Sequence, residues 1–182
     1  MTTPAPVALR RARTTDDIAA VAEMWKRSAD WLRNHGSDQW QYPVKMYNIE
    51  AAVAAGNCWL AQRDDSVIGT ITVDINAEPQ LWPQEDHPDD ALYIHRMVIE
   101  ETERGEEIGS AMLDWTGERA TNSGRHWIRL DAWRSNTALH KYYVTRGFEL
   151  VRVVADPSGS GACFQRPATV RLGRGPCITT IP

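Results

Sequence analysis

The sequence predicts a single mixed α/β domain, in which one sheet carries helices on both faces. Three observations lead to this prediction. The chain has 182 residues, of which 42% are hydrophobic and 24% charged, and this suits one soluble domain with a sizeable core. Apolar residues recur with a helical period in some segments and alternate in others. The segments follow the order β-α-α-β-β-β-α-β-α-β-β, which is neither a strict βαβ array nor an all-β pattern.

The chain opens with a strand and a long amphipathic helix. Residues 7–13 alternate as a strand does and end at a TTDD turn, where Thr14 and Asp17 form an approximate capping box. From Ile18 onward the apolar residues recur with a period of about 3.6. The helix is therefore predicted to begin after Thr14 and to end within residues 34–36.

A shorter helix and a β-hairpin follow. Residues 47–56 predict a helix that ends at a glycine, a common residue at helix C-termini. Residues 57–75 contain two strand-like runs separated by Asp64 and Asp65, a pattern typical of a hairpin. Residues 77–90 are rich in proline and acidic residues, so they are predicted to form a loop.

The next segments are those on which the functional interpretation depends. Residues 91–99 form a mostly apolar strand. A helix buried on one face is predicted from Ile108 to residues 122–124. Residues 126–133 alternate as a strand, and Asn136 is a typical N-cap for the helix that follows.

The chain then returns to the sheet. Gly147 suits the C-terminus of the preceding helix, and residues 148–155 and 162–166 predict two further strands. The remaining segment is rich in glycine, proline and arginine, and it is predicted to be loosely attached. We therefore divide the chain into one domain, residues 1–166, and a C-terminal tail, residues 167–182.

Composition and charge exclude several classes of function. The net charge of −4 argues against nonspecific nucleic-acid binding, which relies on Lys and Arg. No apolar run approaches the ~20 residues that span a bilayer, and the N-terminus has no apolar secretory region. Cys58, Cys163 and Cys177 lack C-x-x-C spacing, which favours a reducing cytoplasm over a disulfide framework or a zinc site. Histidine is also sparse, so no metal is expected.

The turn between the strand 91–99 and the helix from Ile108 could hold an anion. It reads R-G-E-E-I-G, from Arg104 to Gly109, and the unpaired N–H groups of a first helical turn favour phosphate. It is not the G-x-G-x-x-G of a dinucleotide fold, and it lacks the G-K-[ST] of a P-loop. A plain strand–helix connection is the alternative interpretation.

Two stretches resemble sequence landmarks of one superfamily. Arg104, Ile108 and Gly109, followed by SAML, resemble the R/Q-x-x-G-x-G/A element of the GCN5-related N-acetyltransferase (GNAT) superfamily. Residues 130–151 resemble its second landmark, a strand followed by a helix that begins at an Asn, contains a Tyr and ends before Gly-Phe. The residues in that register are Asn136, Tyr143, Gly147 and Phe148.

The resemblance covers residues 7–166 and implies the GNAT fold. Residues 37–46 are also similar to an acceptor-side segment of many small bacterial members. In this family the central sheet is mostly antiparallel and carries helices on both faces. It is splayed where the strands corresponding to 91–99 and 126–133 move apart. The expected fold class is therefore α/β, as a single GNAT-like domain with a mixed sheet.

The resemblance also implies acetyl-CoA as the co-substrate. The pantetheine arm would lie in the wedge between the splayed strands, bonded to the backbone of Met97, Val98 and Ile99, and the Met97 amide would polarise the thioester carbonyl. Asn136 would contact the cofactor arm or cap its own helix. The pyrophosphate would meet the turn, where the expected residues are Arg104, Gly105, Glu106, Glu107, Ile108, Gly109 and Ser110.

Acetyl transfer to an amine requires a base for the amine and an acid for the departing thiolate. Tyr143 matches the family tyrosine that protonates the thiolate, and an ordinary half-buried helix tyrosine is the alternative. Asp131 occupies a position where many relatives carry a catalytic glutamate. By strand alternation it shares a face with Trp127 and Trp133. It could instead pair with a neighbouring arginine.

His95 is the second candidate for the base. By alternation it lies on the same face as Tyr93 and Met97, on the strand expected to bind acetyl-CoA. Histidine side chains titrate near neutral pH, which suits proton transfer. A structural histidine is the alternative interpretation. We rank Asp131 ahead of His95.

Aromatic residues outside the predicted helix faces are candidates for an acceptor pocket. Trp40, Tyr42 and Trp82 are of this kind, since aromatic residues line many small-molecule sites. As core or loop anchors they would need no ligand. The acidic loop 84–90 could attract a cationic acceptor by its charge, or it could be solvated only.

The acidity of the turn fits the resemblance least. Glu107 stands where the family usually has glycine, and four more glutamates surround it. Acids stabilise a helix N-terminus through its dipole, but beside a pyrophosphate they repel it. Glu107 also adds a Cβ where glycine permits close backbone approach. We expect these side chains to point to solvent and to weaken cofactor binding without abolishing it.

We therefore predict a cytoplasmic, acetyl-CoA-dependent N-acetyltransferase that transfers the acetyl group directly, without a covalent enzyme intermediate. The acceptor would be a primary amine of a small molecule or peptide, and neither nucleic acid nor membrane is an expected partner. Exposed tryptophans or the tail could support a homodimer. The alternative is a catalytically silent CoA-binding or partner-binding module, which Glu107 favours and the intact Tyr143 and Asp131 disfavour.

Overall fold

The computed structural model describes residues 5–155 and 157–182. Residues 1–4 and Asp156 lie outside the described residues. Residues 1–4 are the start of the predicted domain and of the N-terminal segment that was expected to lack a secretory region. The helices and strands of the described residues are β1 Val7–Arg11, α1 Thr15–Asn34, α2 Met46–Ala54, β2 Cys58–Arg63, β3 Ser66–Asp74, β4 Ala91–Ile99, α3 Ile108–Asn122, β5 Trp127–Ala132, α4 Thr137–Val144, β6 Glu149–Val153, β7 Ala162–Pro167 and β8 Ile178–Thr180.

The strands form one mixed and mostly antiparallel sheet, as expected. Its order is β6-β7-β5-β4-β3-β2-β1-β8. Neighbouring strands are antiparallel except for two parallel pairs, β4 with β5 and β1 with β8. All strands predicted from the sequence are present, and β8 is an addition to them.

Helices cover both faces of the sheet. α1 and α2 pack on one face through a buried cluster that includes Trp25, Ile49 and Val98. α3 and α4 pack on the other face through a larger cluster that includes Met112 and Tyr143. Burial of these apolar side chains holds the layers together, and the predicted fold class is confirmed. Within the described part of the chain, no helix combines the length and apolar character needed to cross a membrane.

α1 begins at the capping box predicted from Thr14 and Asp17. The Asp17 N–H donates to the Thr14 hydroxyl at 3.1 Å, and the Thr14 N–H donates to the Asp17 carboxylate at 3.1 Å. Arg10 of β1 donates to the same carboxylate at 2.8 Å and holds the pKa of Asp17 well below its usual range. The start of α1 is therefore tied directly to the sheet.

β4 and β5 pair over only part of their length. Residues 91–94 align with residues 127–130, and the ladder between these two described strands ends there. From His95 onward the side of β4 that faces β5 is unpaired, although β3 still pairs with the other side. The splayed strands implied by the family resemblance are therefore present.

A β-bulge at Arg96 changes which side chains of β4 face which helices. Arg96 has a left-handed backbone with φ 47°, and the register between β3 and β4 shifts beside it. Met97 packs against the cluster of α3 and α4, whereas Tyr93 belongs to a different cluster. The predicted common face of Tyr93, His95 and Met97 is therefore wrong at Met97, because a bulge adds one residue and reverses the alternation.

The end of the chain is held against the domain, in contrast to the loose attachment expected from its composition. β8 pairs with β1, and the backbone N–H groups of Leu172 and Gly173 donate to Asp114 of α3 at 2.8 and 2.9 Å. Trp115 donates to the Thr180 hydroxyl at 2.9 Å. Composition did not indicate this attachment because it depends on the open edge of β1, which is formed more than 150 residues earlier in the chain.

Candidate active site

A cavity of about 810 Å³ crosses the sheet at the point where β4 and β5 separate. One end is lined by the turn before α3 and by α4. The other end, which we call the acceptor end, is lined by α1 and residues 37–45. The unpaired side of β4 lies between the two ends. Two ligands that enter from opposite ends would therefore meet at the splayed strands.

The turn before α3 carries backbone N–H groups that can bind an anion. The first residues of a helix have no intrahelical acceptor for their N–H groups, and no side chain caps α3. Glu107 precedes the helix with a left-handed backbone, φ 57°. Glycine adopts this conformation at lowest cost. The geometry of the turn therefore suits the glycine that the family usually has at this position.

The Glu107 side chain folds over the turn. Its carboxylate accepts a hydrogen bond from the Ser110 hydroxyl and forms an ion pair with Arg146 at 2.9 Å. The Ser110 bond and the Arg146 charge hold the pKa of Glu107 below its ordinary value, so the side chain is ionised at neutral pH. The expectation that Glu107 simply points to solvent is wrong, since it engages the cation next to the turn.

Most of the other acids around the turn are also paired with arginines. Arg27 of α1 pairs with Glu100 at 2.5 Å. Arg63 of β2 pairs with Glu103 at 2.5 Å and with Glu106 at 2.7 Å. Glu106, which was expected at the pyrophosphate, does not line the cavity. These pairs reduce the repulsion that an anionic ligand would meet at the turn.

Tyr142 of α4 and Arg146, in the turn that follows α4, line the cavity beside the turn before α3 and were not predicted. The Arg146 guanidinium lies 3.5 Å from the centroid of the Tyr142 ring. A Cβ on Gly109 would collide with the Tyr142 hydroxyl, which explains a glycine at this position of α3. The available signal was their position beside the landmark residues, since Tyr142 precedes Tyr143 and Arg146 precedes Gly147.

The remaining residues expected at the cofactor are near the cavity. Ser110 is fully buried beneath the turn and does not line the cavity. The Arg104 guanidinium lies 3.7 Å from the centroid of the Trp31 ring of α1. The expected residues that line the cavity are Met97, Val98, Ile99, Arg104, Gly105, Glu107, Ile108, Gly109, Asn136 and Tyr143.

Tyr143 lines the cavity from α4 and is also a core residue. Its ring lies 5.4 Å from that of Phe148 and 5.9 Å from that of Phe164, and the residue is 7% exposed. Burial raises the pKa of Tyr143, and the charges of Tyr142 and Asp131 act in the same direction. The phenol therefore remains protonated at neutral pH, as a proton donor must be.

Asp131 and His95 both line the cavity, each just beyond the last pair of the β4–β5 ladder. Asp131 accepts a hydrogen bond from the Ser160 hydroxyl. His95 Nε2 lies 3.3 Å from Asp74 Oδ1. Of the two tryptophans expected beside Asp131, only Trp133 lines the cavity. The structure thus brings both candidate bases to the place where the strands separate.

Residues 37–45 are fastened to the start of α4. Asn136 caps α4 by accepting a backbone N–H of the first turn at 2.9 Å, and its amide donates to Gln39 at 2.7 Å. Trp133 donates to Asp38 at 2.9 Å. The capping role predicted for Asn136 is confirmed, and the same residue positions a wall of the acceptor end.

Trp40 and Tyr42 line the acceptor end, whereas Trp82 does not. Trp40 lies 5.5 Å from Trp25, and Tyr42 lies 6.3 Å from Trp133, measured between ring centroids. Trp82 is buried in a separate cluster and is 2% exposed. The predicted acceptor role of Trp82 is therefore wrong. Its loop packs on a different part of the sheet, and local sequence does not show where a loop folds.

The acidic loop 84–90 lies away from the cavity as well. Asp86 pairs with Arg152 at 2.5 Å, and Asp90 pairs with His126 at 2.6 Å. These acids hold the loop to the sheet, and they do not face the acceptor end. The hypothesis that the loop attracts a cationic acceptor finds no support in this arrangement.

Comparison with known proteins agrees with this geometry. The sequence model of the Acetyltransferase (GNAT) family matches residues 18–148. YesJ, an uncharacterized N-acetyltransferase of Bacillus subtilis, is 26% identical over 150 residues, which cover 79% of this chain and 82% of YesJ. Most of the chain therefore aligns with an N-acetyltransferase.

Solved structures share the fold. A GNAT-family acetyltransferase from Listeria monocytogenes superposes with a TM-score of 0.70 at 23% identity, over 87% of this chain and 93% of that one. The aminoglycoside acetyltransferase AAC(6')-Ib, solved with coenzyme A, superposes with a TM-score of 0.67 at 19% identity, over 88% of this chain and 94% of that one. Because the family model matches well over half of its residues, the chain belongs to the acetyltransferase (GNAT) family and is an acyltransferase.

Proposed function

We propose that the protein is an acetyl-CoA-dependent N-acetyltransferase that acts on a primary amine of a small molecule or peptide. The observation that carries the proposal is the cavity that crosses the sheet where β4 and β5 separate, with Tyr143 and Asp131 on its walls. Donor and acceptor can reach the same point from opposite ends of this cavity. Direct transfer then needs no covalent enzyme intermediate, because the two reactants are held together.

The residues at the α3 end of the cavity fit acetyl-CoA. The unpaired N–H groups at the start of α3, together with Arg146, suit a pyrophosphate. The unpaired side of β4 offers backbone groups to an extended amide chain such as pantetheine, as a sheet edge does to a peptide. When bound there, acetyl-CoA supplies the acetyl group as a thioester.

Three groups of this chain each have one task in the proposed reaction. Asp131 accepts the proton that the amine loses as its nitrogen bonds to the acetyl carbon. The Met97 N–H donates a hydrogen bond to the carbonyl oxygen as negative charge develops on it. Tyr143 gives its proton to the sulfur as the carbon–sulfur bond breaks, and solvent returns that proton afterwards. The products are an N-acetylated amine and a free thiol.

A catalytically silent CoA-binding or partner-binding module is the second candidate, and one observation favours it. The Glu107 carboxylate is bound to Ser110 and Arg146. A pyrophosphate at the turn would compete with this carboxylate for Arg146, which lines the cavity. We favour the enzyme because Tyr143 and Asp131 both line the cavity, an arrangement that simple binding would not require.

Turnover of acetyl-CoA separates the two candidates. The full chain is first titrated with acetyl-CoA by calorimetry, and it is then incubated with acetyl-CoA and a panel of primary amines, with release of free thiol as the readout. The proposed enzyme should bind acetyl-CoA and release thiol only when a suitable amine is present. Binding with no amine-dependent release across the panel would support the silent module.

The substitution Glu107→Gly is expected to tighten acetyl-CoA binding about tenfold, as measured by calorimetry. It removes a negative charge beside the phosphates and frees Arg146 to bind them. The left-handed backbone at this position favours glycine, so the fold should tolerate the change.

A matched control is available in the same turn. Glu106→Gln removes an equal charge, but Glu106 faces Arg63 and does not line the cavity, so the affinity should change less than about twofold. Unchanged or weaker binding by Glu107→Gly would mean that the pair of Glu107 with Arg146 supports the site and does not obstruct it.

A further inference from the structure

The β-bulge of β4 turns Arg96 toward the acceptor end of the cavity. Arg96 Nη2 donates to Thr72 Oγ1 at 3.4 Å, and its guanidinium lies 6.0 Å from the centroid of the Trp25 ring of α1. His95 bonds Asp74, which lies on the same face of β3 as Thr72 by alternation. The bulge therefore directs two consecutive side chains to one side. Bulges beside active sites commonly re-aim a side chain in this way.

The Arg96 guanidinium has no anionic partner within the described residues. It forms no ion pair with any of them, and the hydrogen bond that its side chain donates is the long one to Thr72. Arg96 lines the cavity, so its other donors are available there. Burial lowers the pKa of Arg96 although nearby acids act in the opposite direction, as expected for a cation withdrawn from water without a direct partner.

The acceptor end carries cations as well as carboxylates. Lys45 also lines it, with Nζ 4.8 Å from the centroid of the Tyr42 ring. Asp131 faces the same space and bonds Ser160. Asp74 lies behind His95 and also acts on Arg96. Cations and carboxylates together suit an acceptor that carries an anion in addition to its amine better than one with several positive charges.

Aromatic rings form the wall beside Arg96. Trp25 contacts Trp40 and Tyr42 at centroid distances of 5.5 and 6.4 Å, and Tyr42 lies 6.3 Å from Trp133. All four residues line the cavity. Rings of this kind bind an apolar or aromatic body, and their edges leave room for a few polar contacts that orient it.

We infer that the acceptor is an amino acid or a closely related small molecule that carries a carboxylate beside its primary amine. Arg96 binds the carboxylate, the aromatic wall contacts the side chain, and Asp131 faces the amine. The inference rests on the proposed acetyl transfer and names its acceptor class. Guanidinium and carboxylate form charge-assisted and often two-point hydrogen bonds, which are strong where water is partly excluded.

The test compares matched acceptors with the full chain and acetyl-CoA. Each apolar or aromatic amino acid is assayed beside its carboxamide and its decarboxylated amine. We expect kcat/KM to be about 30-fold higher for the carboxylate, with most of the difference in KM. The amine of a carboxamide is less basic than that of the amino acid and is more often neutral at pH 7. Ionisation alone would therefore give the carboxamide the higher kcat/KM. A higher kcat/KM for the carboxylate, as expected here, cannot come from this difference in amine ionisation.

Variants connect the preference to the side chain. Arg96→Gln should reduce the preference for the carboxylate to about threefold or less, and Arg96→Lys should recover part of it. Lys141→Gln is the matched control, because Lys141 is an exposed cation of α4 that does not line the cavity. It should keep the full preference. Acetyl-CoA affinity, measured by calorimetry, verifies that each variant is folded.

Two results would overturn the inference. The first is equal kcat/KM within the matched pairs for the unchanged chain, which would leave acetyl transfer itself intact. The second comes from calorimetric titration of the CoA-saturated chain with phenylalanine and with phenylalaninamide, a measurement that requires no turnover. Equal affinity for both compounds would overturn the inference even if the chain acetylates neither, whereas tighter binding of phenylalanine that is lost in Arg96→Gln would support it.

Discussion

The substitution Tyr143→Phe is expected to lower kcat for acetyl transfer about 100-fold or more, while the affinity for acetyl-CoA stays within about twofold. The change removes only the hydroxyl, which is the proposed proton donor to the departing sulfur. Among the described residues no hydrogen bond to the Tyr143 hydroxyl is present, so none is lost. The ring contacts with Phe148 and Phe164 remain. Steady-state kinetics and calorimetry measure the two quantities.

Tyr142→Phe is the matched control for this prediction. It removes the same hydroxyl from the neighbouring residue, which lines the cavity beside Gly109. Its main effect should therefore be on the KM for acetyl-CoA, with a small effect on kcat. If Tyr143→Phe retains kcat within about threefold, Tyr143 is a core residue and the thiolate leaves without it.

The pH dependence of the wild-type rate gives an independent check. Burial raises the pKa of Tyr143, and its acid form therefore persists below that raised value. Deprotonation of Tyr143 should therefore not reduce kcat as the pH rises from about 7 to about 10. A descending limb near the ordinary tyrosine value, absent in Tyr143→Phe, would contradict the buried environment described above.

The substitution Asp131→Asn is expected to lower kcat/KM for the amine about 100-fold near neutral pH. It preserves size and can keep a hydrogen bond with Ser160, but an amide cannot accept the proton of the amine. The loss should shrink as the pH rises, because solvent then accepts the proton of the amine more readily in the variant. The measurement is a pH profile of kcat/KM for the variant and the wild type.

His95→Gln distinguishes the two candidate bases. His95 lines the same cavity and contacts Asp74, so the substitution retains a polar side chain at the equivalent place. If Asp131 is the base, His95→Gln should cost less than about tenfold and should leave the shape of the pH profile unchanged. The opposite order of effects, with the larger loss in His95→Gln, would transfer the role of base to His95.

Much of the fold was predictable because its signals are local. The capping box at Thr14, the hairpin in residues 57–75 and the cap at Asn136 depend on residues within a few positions of one another, and all three are present. The landmark spacing also led to Tyr143 and Asp131, and both line the cavity. Their catalytic roles remain predictions that the substitutions above test.

Other features were not predicted, because the rules that hold between neighbouring residues did not apply there. Strand alternation failed at Met97 because a bulge at Arg96 adds one residue to β4. Trp82 was expected at the acceptor and is a core residue, because residue type does not show which part of the sheet a loop covers. β8 was missed since a three-residue strand has no periodicity to detect.

The sequence by itself determined the order of elements, the capped helices, the family and the residues that follow the family landmarks. The tertiary structure decided which charges meet. Glu107 pairs with Arg146 across 39 positions of the chain, and Arg96 lies among aromatic residues of α1 and residues 37–45. A helix or turn forms from forces between near neighbours. The environment of a charge is set by distant segments that fold around it. Only the structure therefore revealed that Glu107 pairs with Arg146 over the turn and that Arg96 lies at the acceptor end.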